Sequence, residues 1–512
     1  MRPSVSHIVP TPLLRYFAGL TRAALDRLYA DGWTCQGLLR ALPPVARLYA
    51  LRLACAQGDV PVAVVDAWKQ SDRNTANTKH DQALQVLERL QLLDKSIMAG
   101  GGDSWRLHRC FAKQLLDGLC IGGVLDAKSE HGSGTLEAHG EAGSSAVPTL
   151  PQLERHACAT WERVMQSIIA PPELDIDLTM DYESATMQEL LIEADLLRYA
   201  PVTGTEADYD GSLPPRFAMS RLAPRYLLQP THVQVWRLVR AYMALSEKGA
   251  PGTQHGVLCF LMRLGLLRLG RAYRMDDSAL DDAQRRTLAD MSLLGLVLRP
   301  EESPELYYAT PLCQHLLSSS HGAGATTSGS AAAQPHAGGG RASNGGGGDD
   351  GEGGGFVVLE TNFRLYAYTS STLQARVLGS FTRLEYLLPD LVVGSLTRES
   401  IHQAVDAGVS ATEIVKFLER NAHPRMQRQT PVLPETVINQ LHLWAKEKQR
   451  IQYTKAKIYE KFSSEAEFLA AEAYAKDNRV HLWSRCADVA ADSVLAVRSD
   501  AHERMKSFLR GK

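Results

Sequence analysis

The stretch Phe356–Ser371, FVVLETNFRLYAYTSS, follows a tract made almost wholly of glycine, serine and alanine. Within it, Phe363, Leu365 and Ala367 alternate with Asn362, Arg364, Tyr366 and Tyr368. A period of two is the signature of a β-strand with one covered face, so the apolar set is expected to meet a core. The other set, with Glu360, would stand exposed unless another chain covers it. Tyrosine and arginine are the residues enriched at the anchors of protein interfaces.

Downstream, Ser371 and Gln374 have the spacing of a capping box, which predicts a helix start. Leu373, Val377, Phe381, Leu384 and Leu388 then recur at helical spacing up to Pro389. Thr397 is placed to cap a helix that stops at Gly408, and Ser410 with Glu413 forms a second capping box before Ile414, Phe417 and Leu418. Pro434 suits a first helical turn, with Val437, Leu441 and Trp444 on one side. The lysines at 446, 448, 455, 457 and 461 read as a solvated face.

Upstream lies a recurring pattern of helix, strand, turn, strand and short helix. It is read at ALQVLERLQLLDKS with WRLHR, at QELLIEADLLRYAP with RFAMS, and at TLADMSLLGLVLRP with LYYAT. A fourth copy runs through AEFLAAEAYAKDN, VHLWSR and SVLAVRS. A helix feeding a hairpin is the layout of a winged helix, and four copies strengthen the reading. The hairpins lack the Lys/Arg clusters of a DNA-reading wing, so scaffold use is expected. The fold class expected is mainly α with small β-hairpins, α+β and multidomain.

Two stretches, around 127–145 and 318–355, hold too few large apolar residues to offset the entropy of ordering. They divide the chain into a helical and winged-helix-like domain (1–124), a linker (125–149), a tandem winged-helix-like domain (150–317), a Gly/Ser/Ala-rich tether (318–355), and blocks at 356–428 and 429–512.

The composition excludes several classes. Over 512 residues the net charge is only -2, far from the cationic field of a protein that coats nucleic acid. The duplex-binding transcription regulator is therefore the rival reading, with double-stranded DNA bound at most weakly. No run is long and apolar enough to span a bilayer, and the start lacks the basic-then-apolar order of a signal peptide. The eight cysteines show neither C-x-x-C pairs nor zinc spacing with histidine, and read as buried thiols in a reducing compartment. There is no phosphate loop, metalloprotease helix or nucleophile elbow. His108 and His402 have no sequence partner and read as structural. No enzyme activity, metal or cofactor is expected.

The segments 359–426 (LETNFRLYAYTSS through NAHPRM) and 430–454 (TPVLPETVINQLHLWAKEKQRIQYT) strongly resemble the fourth subunit of general transcription factor IIH, the fifty-two-kilodalton type. The block 25–70, LDRLYADGWTC through VVDAWKQ, is similar to that family's opening. The resemblance implies a nuclear, non-catalytic core subunit serving RNA polymerase II transcription initiation and nucleotide excision repair. It implies that 356–428 is a clutch-like domain anchoring the XPB DNA translocase and stimulating its ATPase, with Glu360, Asn362, Arg364, Tyr366 and Tyr368 as contacts. It implies that 429–512 binds the small TTD-A subunit, with contacts sought at Val480, Leu482, Trp483, Val494, Leu495 and Val497. Other core subunits of the factor are expected as further partners.

Overall fold

The computed structural model describes residues 11–56, 58–69, 75–97, 102–120, 148–169, 182–199, 217–250, 252–274, 280–301, 303–317, 356–450, 455–460, 462–486 and 493–510. Both glycine-rich tracts lie outside them, as do Lys461 and residues 451–454. The chain forms two compact units, Met1–His442 and Leu443–Lys512.

Four segments repeat one construction. The helices Thr75–Arg89, Tyr182–Glu193, Asp282–Leu293 and Glu465–Asp477 each lead into an antiparallel hairpin. The turn between helix and hairpin is the same in all four. Two residues past the helix end the backbone takes positive φ, at Gln91 (54°), Asp195 (56°), Gly295 (75°) and Arg479 (57°). The next N–H donates to the carbonyl five residues back: Leu92 to Leu87 at 2.9 Å, Leu196 to Leu191 at 2.9 Å, Leu296 to Met291 at 3.0 Å, and Val480 to Ala475 at 2.9 Å. This is the Schellman closure, which satisfies orphan helix carbonyls by one left-handed residue. The carbonyls of Leu92, Leu196, Leu296 and Val480 then accept from the far end of the hairpin, from the N–H groups of His108, Ser220, Thr310 and Arg498 at 2.9–3.0 Å. Leu92, Leu196 and Leu296 are wholly buried, so each turn is also pinned by an apolar plug.

In three of the four, an earlier strand pairs with the last one. Val60–Pro61 lies against Asp103–Leu107, Ala272–Arg274 against Leu306–Ala309, and Ala456–Tyr459 against Val494–Arg498. The last strand is thus central in each three-stranded sheet.

The opening helices, Pro12–Ala18 and Arg22–Leu28, bury Leu13, Leu14, Phe17, Leu25 and Leu28. His108 is not isolated: its Nε2 meets Asp26 Oδ1 at 2.9 Å, tying the first hairpin to those helices. The thiols are not all buried either. Cys35 and Cys313 are, whereas Cys55, Cys110 and Cys486 are exposed. Among the described residues no helix is long and apolar enough to cross a membrane.

The block 356–428 departs from the sequence reading in its secondary structure at Arg383–Leu388, and at Phe363, which lies in a turn. The helix expected to run to Pro389 stops at Gly379, and Arg383–Leu388 is a strand. Leu384 and Leu388 fit a helical period, but 383–388 pairs with Leu391–Ser395 across a two-residue turn at Pro389 and Asp390. Proline cannot continue a helix, and here it closes a hairpin instead. The other signals hold. Ser371 accepts from the Gln374 amide at 3.3 Å, Thr397 from Ser400, and Ser410 and Glu413 bond reciprocally. Gly408 ends its helix at φ 86°.

This block sits on the preceding domain. Ser371 Oγ donates to Glu162, and Gln166 Nε2 to Thr372 at 3.2 Å. Arg225 pairs with Glu413 at 2.5 Å, and Arg420 donates to the Leu228 carbonyl at 2.6 Å.

Candidate partner-binding surfaces

Four antiparallel strands build the first surface, in the order Arg383–Leu388, Leu391–Ser395, Arg364–Tyr368, Phe356–Leu359. One sheet face is closed. Leu365, Ala367, Leu359, Val357 and Val392 are buried there, and Ile401, Ile414 and Leu418 of the following helices are fully buried as well. The strand alternation puts Arg364, Tyr366 and Tyr368 on the opposite face.

That face is built in cross-strand rows. One row runs Val358, Tyr366, Val393, Tyr386. A second runs Phe356, Tyr368, Leu391, Leu388. Phe356 and Tyr368 have ring centroids 4.8 Å apart. Tyr368 is 43% exposed and Tyr386 60%, so aromatic surface faces outward along the sheet.

A charged row borders it. Arg364 Nη2 and Glu385 Oε2 lie 2.8 Å apart, and Arg364 pairs with Ser395 of the intervening strand. Glu385 sits at a bulge between Leu384 and Tyr386, which re-aims its side chain. The Arg364 guanidinium, then the Ser395 hydroxyl, hold the Glu385 carboxyl below its usual range. Glu360 and Asn362 lie in the turn before the strand. Asn362 Nδ2 donates to Glu360 Oε2 at 2.9 Å, and Asn362 Oδ1 accepts from the Arg364 amide at 2.9 Å. Phe363 is in this turn as well, at φ 69°, and not on the buried face expected for it.

The strand Arg383–Leu388 is an outer edge of the sheet, and every residue in it is exposed. Leu387 is 69% exposed and Leu388 51%. An exposed apolar edge offers unpaired N–H and C=O groups to another chain, a hazard that proteins normally blunt with charge or cover. Sequence reasoning missed Glu385, Tyr386, Leu387 and Leu388 because it assigned them to a helix. The signal that identifies them is the Pro-Asp turn between two β-rich runs.

The second surface is on the C-terminal unit. Its core gathers Phe462, Phe468, Ala471, Ala475, Leu495, Val497 and Met505. Leu495 and Val497, sought above as partner contacts, are wholly buried in that core, because the central strand turns them toward the helices. Val480 packs against the core from its margin and Val494 is half-buried. Leu482 (40% exposed) and Trp483 (54%) point outward from the edge strand His481–Arg485, at a bulge between His481 and Trp483. On the opposite edge Ile458 is 62% exposed. Beside Trp483, Glu472 takes Ser484 at 2.6 Å and Lys476 at 2.8 Å.

Among the described residues, no group of three or more metal-capable side chains gathers.

Comparison with known proteins gives a consistent family. The model of Transcription factor Tfb2 matches residues 15–424, and that of the Transcription factor Tfb2 (p52) C-terminal domain matches 439–510. The chain is 29% identical to a "General transcription and DNA repair factor IIH subunit TFB2" of Arabidopsis thaliana, over 98% of each chain. It is 26% identical to "General transcription factor IIH subunit 4" of Dictyostelium discoideum, over 97% of this chain and 98% of that one. It is 26% identical to the TFB2 subunit of Saccharomyces cerevisiae, over 92% of each.

Proposed function

Because the chain belongs to the transcription factor Tfb2 family, we propose that it is a non-catalytic core subunit of transcription factor IIH that anchors the XPB-type DNA translocase and stimulates its ATPase. The relatives carry transcription and DNA repair in their names, and RNA polymerase II initiation and nucleotide excision repair are the corresponding roles here, in the nucleus. The observation that carries the anchoring reading is the exposed edge strand Arg383–Leu388 beside an open aromatic sheet face. A partner strand adding to that edge gains main-chain hydrogen bonds, and Tyr366, Tyr368 and Tyr386 then supply side-chain specificity. Arg364 fixes the charge that the partner must match, and Glu360 with Asn362 shapes the rim.

A stimulator without a nucleotide site acts by binding the competent state of its partner more tightly. A twofold rate effect needs about 0.4 kcal/mol of differential binding and a hundredfold effect about 2.7 kcal/mol. The C-terminal unit serves a second docking role, taking the TTD-A-type small subunit at Leu482 and Trp483 with Val480 and Val494 behind them. The helix–hairpin repeats are winged-helix-like packing units that hold the other core subunits.

The test uses the full chain mixed with an XPB-type translocase. A Tyr386→Asp, Leu388→Asp variant is expected to lose both co-purification and ATPase stimulation. Retention of both would overturn the assignment of this surface.

A further inference from the structure

A cavity of about 120 Å³ lies in the seam between the block 356–428 and the domain before it. Helix Leu150–Ile169 contributes Trp161 and Met165, and the block contributes Leu373, Val377 and Phe417. These make its apolar wall. Every ionisable group in its lining is a base: His232, His315 and Arg420. Neither imidazole has a hydrogen-bond partner among the described residues, whereas the amide side chain of Gln234 is committed to the carbonyls of Tyr226 and Leu227. Arg420 spends one N–H on the Leu228 carbonyl and stacks near Phe417, 5.8 Å from its centroid.

Two acids that bridge the seam are already occupied. Glu162 accepts from Ser371, and Glu413 is held by Arg225 and by the Ser410 amide. A half-buried guanidinium with no counter-charge has lost hydration without a Coulombic return, so an entering anion gains more there than at an open surface.

We propose that this seam cavity binds a small organic carboxylate, its apolar body against Trp161, Leu373 and Phe417 and its carboxylate on Arg420 and the two histidines. The volume suits a ring-sized or short-chain acid, and the wall-plus-polar-edge arrangement is that of small-ligand sites. Because the lining comes from both sides of the seam, an occupant stabilises the seated position of the block. This reading stands apart from the anchoring role and does not depend on it.

A pH dependence follows. Burial pushes His315 down to about 4, with His232 adding to the effect. Burial also lowers His232, with Arg420 and Arg15 contributing, and burial lowers Arg420. The empty site therefore holds neutral imidazoles near neutrality. A bound carboxylate raises their affinity for protons, so binding takes up protons and strengthens as pH falls.

The experiment titrates benzoate and, separately, neutral benzyl alcohol into the purified full chain, read by ligand-observed NMR at about pH 7.5 and about pH 5.5. Benzoate is expected to bind more tightly at the lower pH and benzyl alcohol far more weakly. Arg420→Met and His315→Leu should each weaken benzoate about tenfold or more, and Arg420→Lys should restore part of it. His315 makes no hydrogen bond across the seam, so its variant tests the site even if Arg420→Met unseats the block. Equal binding of acid and alcohol, no binding, or indifference to both variants overturns the proposal. Adding the translocase distinguishes the source: displacement of benzoate points to an acidic side chain of that partner, and persistence points to a free acid.

Discussion

Arg364 reaches past the strand Leu391–Ser395 to Glu385, two strands away, and holds it at 2.8 Å. The bulge that brings Glu385 into reach also belongs to the exposed edge strand, so one ion pair couples the open sheet face to that edge. Both side chains remain partly exposed, and exposed pairs contribute little to stability. Its effect is therefore expected in partner recognition. Arg364→Glu and Glu385→Arg should leave thermal unfolding nearly unchanged and weaken translocase binding more than alanine does at either position. The double swap should recover part of the loss. Glu360→Lys is expected to act in the same direction through the rim turn, read by the same binding titration.

The pair also has a pH signature. Arg364 lowers the Glu385 carboxyl below its unfolded value. A depressed folded pKa contributes stability that is fully present above the ordinary glutamate value and is lost as pH falls through the depressed one. An NMR titration of Glu385 should therefore show it still ionised below the point where free glutamates protonate. Arg364→Ala should move it back toward the ordinary range, with the Ser395 hydroxyl still holding part of the shift.

The Schellman turns give a stability test that is independent of any partner. Three of the four left-handed positions hold residues with a Cβ, Gln91, Asp195 and Arg479, where glycine is favoured. Gln91→Gly should stabilise by up to about 1 kcal/mol. The fourth, Gly295, is crowded as well: an added Cβ would lie 3.0 Å from Thr160 Cβ and 3.3 Å from the Ala157 carbonyl. Gly295→Ala should cost about 1–3 kcal/mol. Urea unfolding of the full chain, followed by protease sensitivity at each hairpin, checks both signs.

These turns also explain what was legible in the sequence. The helix–hairpin repeat could be read because an amphipathic helix gives way to alternation in every copy, and in three of the four it does so through a leucine-rich turn, which are local signals. The capping serines were equally local. The strand Arg383–Leu388 was not read, because Leu384 and Leu388 satisfy a period of four that masked the Pro389-Asp390 turn signal; its pairing with Leu391–Ser395 decides the matter. Orientation was the second gap. Val494, Leu495 and Val497 look alike in sequence, yet Leu495 and Val497 are wholly buried while Val494 keeps some exposure. The seating of 356–428 on the preceding domain, through Arg225, Leu228 and Glu162, has no signal in the sequence because each contact joins residues far apart in the chain.

The C-terminal unit sets an exposed aromatic and a buried leucine on adjacent strands. Trp483 is 54% exposed on an edge strand, and Leu495 of the neighbouring strand is fully buried against Phe468 and Met505 in one cluster. Trp483→Ala removes surface only, so the unit should unfold at nearly the same temperature while affinity for the small subunit falls about tenfold or more, as for a truncated aromatic anchor. Leu495→Ala removes core volume and should cost about 2–5 kcal/mol, lowering binding only through loss of the fold. Thermal unfolding and a binding titration on both variants separate the two roles. If Trp483→Ala binds normally, the docking edge is the opposite one, where Ile458 is 62% exposed, and Ile458→Asp should then carry the loss.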